Sequence, residues 1–205
     1  MVIGVVDYGV GNIFSILKAC VKSGLNYRLV KHPDEVKECD VLLLPGVGAF
    51  PVAMKNLVSS GLDEAIVEAS NLGKRIVGVC VGMQLLLSQS LEFETTKGLG
   101  LINGTVTKLP NAQTYRVPNI GWCQVYLAEG GFEKKFRDLV HKKDFYFAHS
   151  YYCNVDNDAV LAYVDRYNDR IPVIITNNEN VFGIQFHPEI SGNAGNALFE
   201  KIVLG

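Results

Sequence analysis

The run Ile76-Val77-Gly78-Val79-Cys80-Val81-Gly82-Met83 leads an apolar strand into a helix through a turn flanked by two glycines. Ile76 to Val79 reads as a buried strand, and the helix that follows is expected to carry Met83, Leu86 and Leu87. Gly78-Val79-Cys80-Val81-Gly82 has the form of a nucleophile elbow, G-x-S-x-G, with cysteine in place of serine. The spacing has a steric reason. A nucleophile at the tip of a tight turn needs almost no side chain two residues to either side, so that strand and helix can pass closely. A thiol at a helix N-terminus also meets unpaired N–H groups and the positive end of the helix dipole, which favour thiolate. A small buried cysteine between packing glycines would give the same letters, so the pattern alone does not decide for chemistry.

The segments around this turn define the fold class. Upstream, Val2 to Val6, Tyr27 to Val30 and Val41 to Leu44 are short apolar runs bounded by turn residues. Between them Ile13, Ile16, Leu17, Cys20 and Val21 fall on one helical face, which Asn12 can cap at its start and Gly24 at its end. Ala53, Met54, Leu57 and Val58, then Leu62, Ala65, Ile66 and Ala69, keep the same 3.6 period. Strands this continuously apolar belong in a parallel sheet covered on both faces. Beyond Gly98 the segments shorten and alternate: 104–109, 121–126, 145–148, 160–164, 173–177 and 181–186 read as mixed or antiparallel strands, and Ala194, Ala197, Leu198 and Ile202 as a closing helix. The expectation is a doubly wound α/β fold. Its mixed sheet would be mostly parallel in the N-terminal half, with antiparallel additions in the C-terminal half, and residues 1–205 would form one domain.

Composition removes several classes of function. At 48% hydrophobic residues over 205 positions the chain can build a full core, burying about 70% of its unfolded surface. Nineteen basic against 21 acidic residues give a net charge of −2, with no long run of either sign, so a nucleic-acid groove or membrane patch built on bulk charge is not expected. The Lys134-Lys135 and Lys142-Lys143 pairs read as solvated surface. Five cysteines without a CxxC pair suggest free thiols in a reducing cytosol, with neither a disulfide framework nor a zinc site. The start lacks the basic stretch of a secretory signal, and no apolar run reaches the 18 or so residues that span a bilayer. A cytoplasmic location follows. Gly9-Val10-Gly11 stands where a dinucleotide fingerprint would begin, but its third glycine position is Phe14, so the glycines read as a sharp turn. His32, His141, His149 and His187 are too scattered for a metal site, and no cofactor is expected.

Two further segments bear on the cysteine. In Gln185-Phe186-His187-Pro188-Glu189 an extended chain puts Glu189 on the same face as His187, and Pro188 biases His187 toward that conformation. A cysteine nucleophile needs such an imidazole, oriented by a third group. Val41 to Leu44 runs into Pro45-Gly46-Val47-Gly48, whose backbone N–H groups, with that of Val81, can hold an oxyanion. A glycine-rich turn without function would look the same in isolation.

Taken together these residues resemble a known family. The elbow extended to Gln84, the Pro45-Gly46-Val47-Gly48 loop, Phe147-Ala148-His149-Ser150-Tyr151-Tyr152 and Gln185 to Glu189 are similar to the class I (triad) glutamine amidotransferases. Asp7-Tyr8-Gly9-Val10-Gly11-Asn12 and Gly121-Trp122 resemble the glutaminase subunits of imidazole glycerol phosphate synthases. The resemblance implies hydrolysis of L-glutamine to glutamate and ammonia, with the ammonia passed to a cyclase-type synthase subunit in a heterodimer. It matches Cys80 to the nucleophile, His187 to the base and Glu189 to its orienter. Gln84 matches a contact to substrate, Gly48, Val81, Ser150 and Tyr151 match the rest of that pocket, and Val47, Gly48 and Val81 the oxyanion site. Where the family runs Pro-His-x-Gly-Trp-Asn, this chain has Pro118-Asn119-Ile120-Gly121-Trp122-Cys123. Asn119 and Trp122 are thus expected near the partner surface, and the departures leave open a relative that supplies a sugar-amidating enzyme. Two rivals stand beside this reading. One is a stand-alone cysteine hydrolase acting on γ-glutamyl peptides; the other is a non-catalytic glutamine-binding or docking protein.

Overall fold

In the computed structural model, which describes residues 1–110, 115–129 and 134–205, the chain runs β1 (Ile3–Val6), α1 (Ile13–Lys22), β2 (Tyr27–Val30), β3 (Val41–Gly46), α2 (Phe50–Ser60), α3 (Leu62–Asn71), β4 (Arg75–Cys80) and α4 (Val81–Leu85). It continues through β5 (Leu87–Ser90), β6 (Thr96–Lys97), β7 (Ile102–Lys108), β8 (Asn119–Leu127), α5 (Lys134–Val140), β9 (Lys143–His149) and β10 (Tyr151–Asn154). It closes with β11 (Val160–Arg166), β12 (Asp169–Thr176), β13 (Val181–Ile184) and α6 (Gly192–Leu204). Among the described residues a nine-stranded sheet has the order β2-β1-β3-β4-β13-β12-β11-β8-β9. The pairings from β2 to β13 are parallel. Those from β13 to β9 are antiparallel. The division into a parallel first half and antiparallel additions is the one expected from the hydrophobic patterning.

Strand order explains the two helical layers. The chain steps from β1 outward to β2 through α1, then in the opposite direction from β3 to β4 through α2 and α3. Right-handed crossovers in opposite directions place their helices on opposite faces of the sheet. Asn12 caps α1 by accepting from the Ser15 amide, and Gly24, at φ 64°, follows its end. β1, β3 and β4 are buried along nearly their whole length, so the core lies on both faces of the parallel half.

Two local readings need correction, and one helix was not anticipated. α4 ends at Leu85, so Leu86 and Leu87 are not helical; Leu87 opens β5 and pairs with Ile102 in a separate sheet of order β10-β7-β5-β6. The Leu86 carbonyl accepts from Leu101 and Ile102, so pairing with a distant strand overrides local helical spacing. The segment near the lysine pairs forms α5, signalled by the apolar spacing Phe136, Leu139, Val140. Lys142 and Lys143 are exposed, while the side chains of Lys134 and Lys135 lie outside the described residues. Finally, β12 begins at Asp169, because Tyr167 and Asn168, both at φ 58°, make a two-residue hairpin turn that pairs Arg166 with Asp169.

Candidate active site

β3, β4 and β13 lie side by side, and their C-terminal ends bring three sequence-distant segments to one place, the usual position of a site in an open α/β sheet. β4 delivers Cys80. Its backbone is held at φ 57° and ψ −115°, a strained conformation for a residue with a side chain. The flanking glycines make this possible. A Cβ on Gly82 would lie 1.7 Å from the Leu44 carbonyl oxygen, and one on Gly78 would lie 2.4 Å from the Gly82 oxygen. Cys80 is thereby the last residue of the strand and the cap of α4, and the N–H of Val81 begins a helix with no carbonyl behind it to meet.

β3 ends in Gly46 and passes into Val47 and Gly48. Gly48 has φ +87°, and a Cβ there would touch nothing, so glycine is required by backbone conformation alone. The Tyr8 hydroxyl donates to the Pro45 carbonyl at 2.7 Å and ties β1 to this turn. Burial and the neighbouring Cys80 push the Tyr8 phenol above its ordinary pKa, so it stays a donor.

β13 leads to His187, whose amide donates to the Tyr146 carbonyl at 2.9 Å. Nδ1 of His187 lies 2.9 Å from Oε1 of Glu189. Burial pulls the ring's pKa down, but hydrogen bonds to Cys80 and Glu189, with their charges, outweigh it and raise it to about 10. Oε2 of Glu189 is buried without a hydrogen-bond partner among the described residues, so His187 is the partner that the carboxylate holds. Ser191 donates to the His187 carbonyl at 2.6 Å and accepts from the Tyr146 amide at 2.9 Å, which fixes the turn carrying the pair.

A cavity of about 460 Å³ opens over these groups. Cys80, Val81 and His187 line it, together with Val47, Gly48 and Gln84. Ser150 and Tyr151 line it as well. Gln84 donates to the Tyr151 carbonyl and to Oε1 of Gln185, both at 3.1 Å, and Gln185 donates to the Cys80 sulfur at 3.9 Å.

The family model for glutamine amidotransferase class-I matches residues 4–204. This chain belongs to the class-I glutamine amidotransferases. It is 42% identical over 194 residues to the imidazole glycerol phosphate synthase subunit HisH of Listeria monocytogenes serotype 4a (strain HCC23), covering 93% of this chain and 89% of the relative. Against the subunit of the same name from Geobacillus sp. (strain WCH70), identity is 37% over 203 residues, covering 97% and 94%. Among solved structures the fold is similar to a crystal structure of a glutamine amidotransferase, with TM-score 0.76 at 18% identity over all of both chains. It is also similar to PurLQS from Thermotoga maritima, with TM-score 0.72 at 21% identity, covering 99% of this chain and 97% of the other. Identities this low speak for the fold alone.

The cavity of this amidotransferase has further walls that sequence reasoning did not find. Glu92, Phe93, Pro118, Ile120, Ala148 and His149 also face it. Glu92 and Phe93 follow the short strand β5, and their position depends on the second sheet, which has no local signature. Asn119 and Trp122, grouped together by the sequence, separate in the structure. Residues of opposite parity on a strand face opposite ways, so Asn119 is turned inward at 2% exposure, whereas Trp122 is 55% exposed with its ring edge-on to Tyr146. Asn119 therefore presents no side chain at the surface. Among the described residues no cluster of three metal-ligating side chains occurs, and no helix is long and apolar enough to cross a membrane.

Proposed function

We propose that this amidotransferase is a glutaminase that hydrolyses L-glutamine to glutamate and ammonia and hands the ammonia to a cyclase-type synthase subunit, as in imidazole glycerol phosphate synthase of histidine biosynthesis. The observation that carries it is the constellation at the strand ends: Cys80 on a strained elbow, facing the same cavity as His187, whose Nδ1 lies 2.9 Å from Oε1 of Glu189. The identity to subunits named HisH over nearly the whole chain supports the pathway.

In the first half-reaction the Cys80 thiolate attacks the side-chain amide carbon. The oxyanion that forms is met by the N–H of Val81 and by the backbone of Val47 and Gly48. Imidazolium of His187 then gives its proton to the amide nitrogen, the C–N bond breaks, and ammonia leaves a γ-glutamyl thioester. In the second half His187 takes a proton from water, the hydroxide adds to the thioester carbon, and collapse releases glutamate and the thiolate. Glu189 holds the ring and its charge throughout. Gln84, Ser150 and Tyr151 bind the substrate, and the cavity carboxylate of Glu92, whose Oε2 accepts from the Phe50 amide at 2.8 Å, offers negative charge to its α-ammonium.

Ammonia set free in neutral water becomes ammonium, which is no nucleophile, so docking over a synthase is chemically motivated. Ile120, on the cavity wall, and Trp122, expected at the partner surface from the sequence, are both exposed and would form the contact, in a heterodimer built on shape and mixed polar groups. The five cysteines are free and buried, which suits the reducing cytosol proposed for it. The test is a glutaminase assay with and without the cyclase, together with labelling by a glutamine-analogue diazo ketone. Labelling confined to Cys80 and turnover stimulated by the cyclase are expected. Labelling that survives Cys80→Ala overturns the reading.

A further inference from the structure

A line of polar groups runs from Arg166 on β11 to the wall of the glutamine cavity, and each bond in it has a fixed direction. Arginine has no acceptor, so its Nη1, 3.0 Å from Oδ1 of Asn119, must donate. The Cys123 thiol is also directed at Oδ1, at 3.5 Å. With its oxygen held by these donors, the Asn119 amide has its Nδ2 toward Nε2 of His149, 3.0 Å away. Nδ2 carries only hydrogens, so Nε2 of His149 accepts. The ring proton of neutral His149 then sits on Nδ1, which lies 2.9 Å from the Tyr151 carbonyl and donates to it. That carbonyl also accepts from Gln84 at 3.1 Å, and the other hydrogen of the Gln84 amide goes to Gln185. Among the described residues Oε1 of Gln84 has no donor, which leaves it as an acceptor beside the cavity.

We infer that Asn119, set by Arg166, is a positioning residue that locks His149 in its Nδ1–H tautomer, and through the Tyr151 carbonyl orients the Gln84 amide for substrate. Asn119 touches neither the cavity nor the reacting atoms, and its effect is on binding. The alternative tautomer would turn two lone pairs toward each other across the His149–Tyr151 contact and release that carbonyl from one of its two donors. Among the described residues Cys80, His187 and Glu189 share no hydrogen bond with this line except through the Gln185 contact, so the chemical step is largely spared. The functional half of the inference rests on the glutaminase reading; the tautomer does not.

The experiment has two arms on the full chain. Long-range nitrogen–proton NMR correlations of histidine-labelled protein, with His149 assigned by its loss in His149→Gln, are expected to show a proton on Nδ1 and a bare Nε2 at neutral pH. A proton on Nε2 overturns the inference whatever the enzyme does. In the second arm Asn119→Leu removes the lock, while Asn119→Asp keeps an acceptor for Arg166 and turns a second one toward Nε2, so that His149 becomes doubly protonated and still donates to Tyr151. Asn119→Leu is expected to raise KM for glutamine about tenfold with kcat within about twofold, and Asn119→Asp to hold KM within about threefold of the parent. An unchanged KM in Asn119→Leu, an equal rise in both variants, or a lower kcat at constant KM overturns it. A parent protein without glutaminase activity would sink the proposed function and leave the NMR result standing.

Discussion

Nδ1 of His187 lies 2.9 Å from Oε1 of Glu189, and the other carboxylate oxygen is buried without a partner among the described residues. The carboxylate is thus devoted to the ring, in one tautomer and one orientation. Glu189→Gln keeps the shape but removes the charge that supports the imidazolium. It is expected to lower kcat about 10²-fold or more while KM changes little, measured as steady-state glutaminase activity with the synthase partner. A loss confined to KM would place Glu189 in binding instead.

Cys80 sits at φ 57°, where a side chain is strained and glycine is not. Cys80→Gly is therefore expected to be more stable than Cys80→Ala by about 1 kcal/mol in urea unfolding, with both inactive. Equal stabilities would mean that the elbow relaxes once the thiol is gone.

His149 is buried, and burial, ahead of any other influence, lowers its pKa to about 4. The unfolded chain binds this proton more tightly than the folded one. Its contribution to stability is complete above the unfolded pKa near 6.5 and is lost as the pH falls from there toward 4. Chemical unfolding at pH 7 and pH 4.5 should show the parent losing about 2 kcal/mol more than His149→Gln over that interval. Parallel losses in the two proteins would show that His149 is not the acid-sensitive group.

Trp122 is more than half exposed, with one edge against Tyr146. Trp122→Ala is expected to reduce partner-stimulated hydrolysis, or its coupling to synthase turnover, while Tm moves by no more than a few degrees. A protein that unfolds early yet keeps full stimulation per folded molecule would remove Trp122 from the interface.

Much of this was open to reading in one dimension, because the controlling forces are local. Gly78 and Gly82 announce the elbow, since a Cβ on Gly82 would strike the Leu44 carbonyl and one on Gly78 would strike the backbone of Gly82. Hydrophobic period separates the strands of the parallel half from α1, α2 and α3. Pro188 keeps His187 extended as expected, but Glu189 reaches the ring from the 3-10 turn Pro188–Ile190 and not along an extended chain. The tertiary structure decided the rest. Leu87 leaves its helical spacing because Ile102, a distant partner, offers a strand to pair with. Glu92 and Phe93 reach the cavity only because a second sheet carries them there. Asn119 faces inward to His149 and Arg166, residues 30 and 47 positions away, so its environment is a property of packed strands and not of its neighbours in sequence. Sterics and periodicity act within a few residues and leave a mark in the sequence; hydrogen bonds between remote segments exist only once the sheet has brought them together.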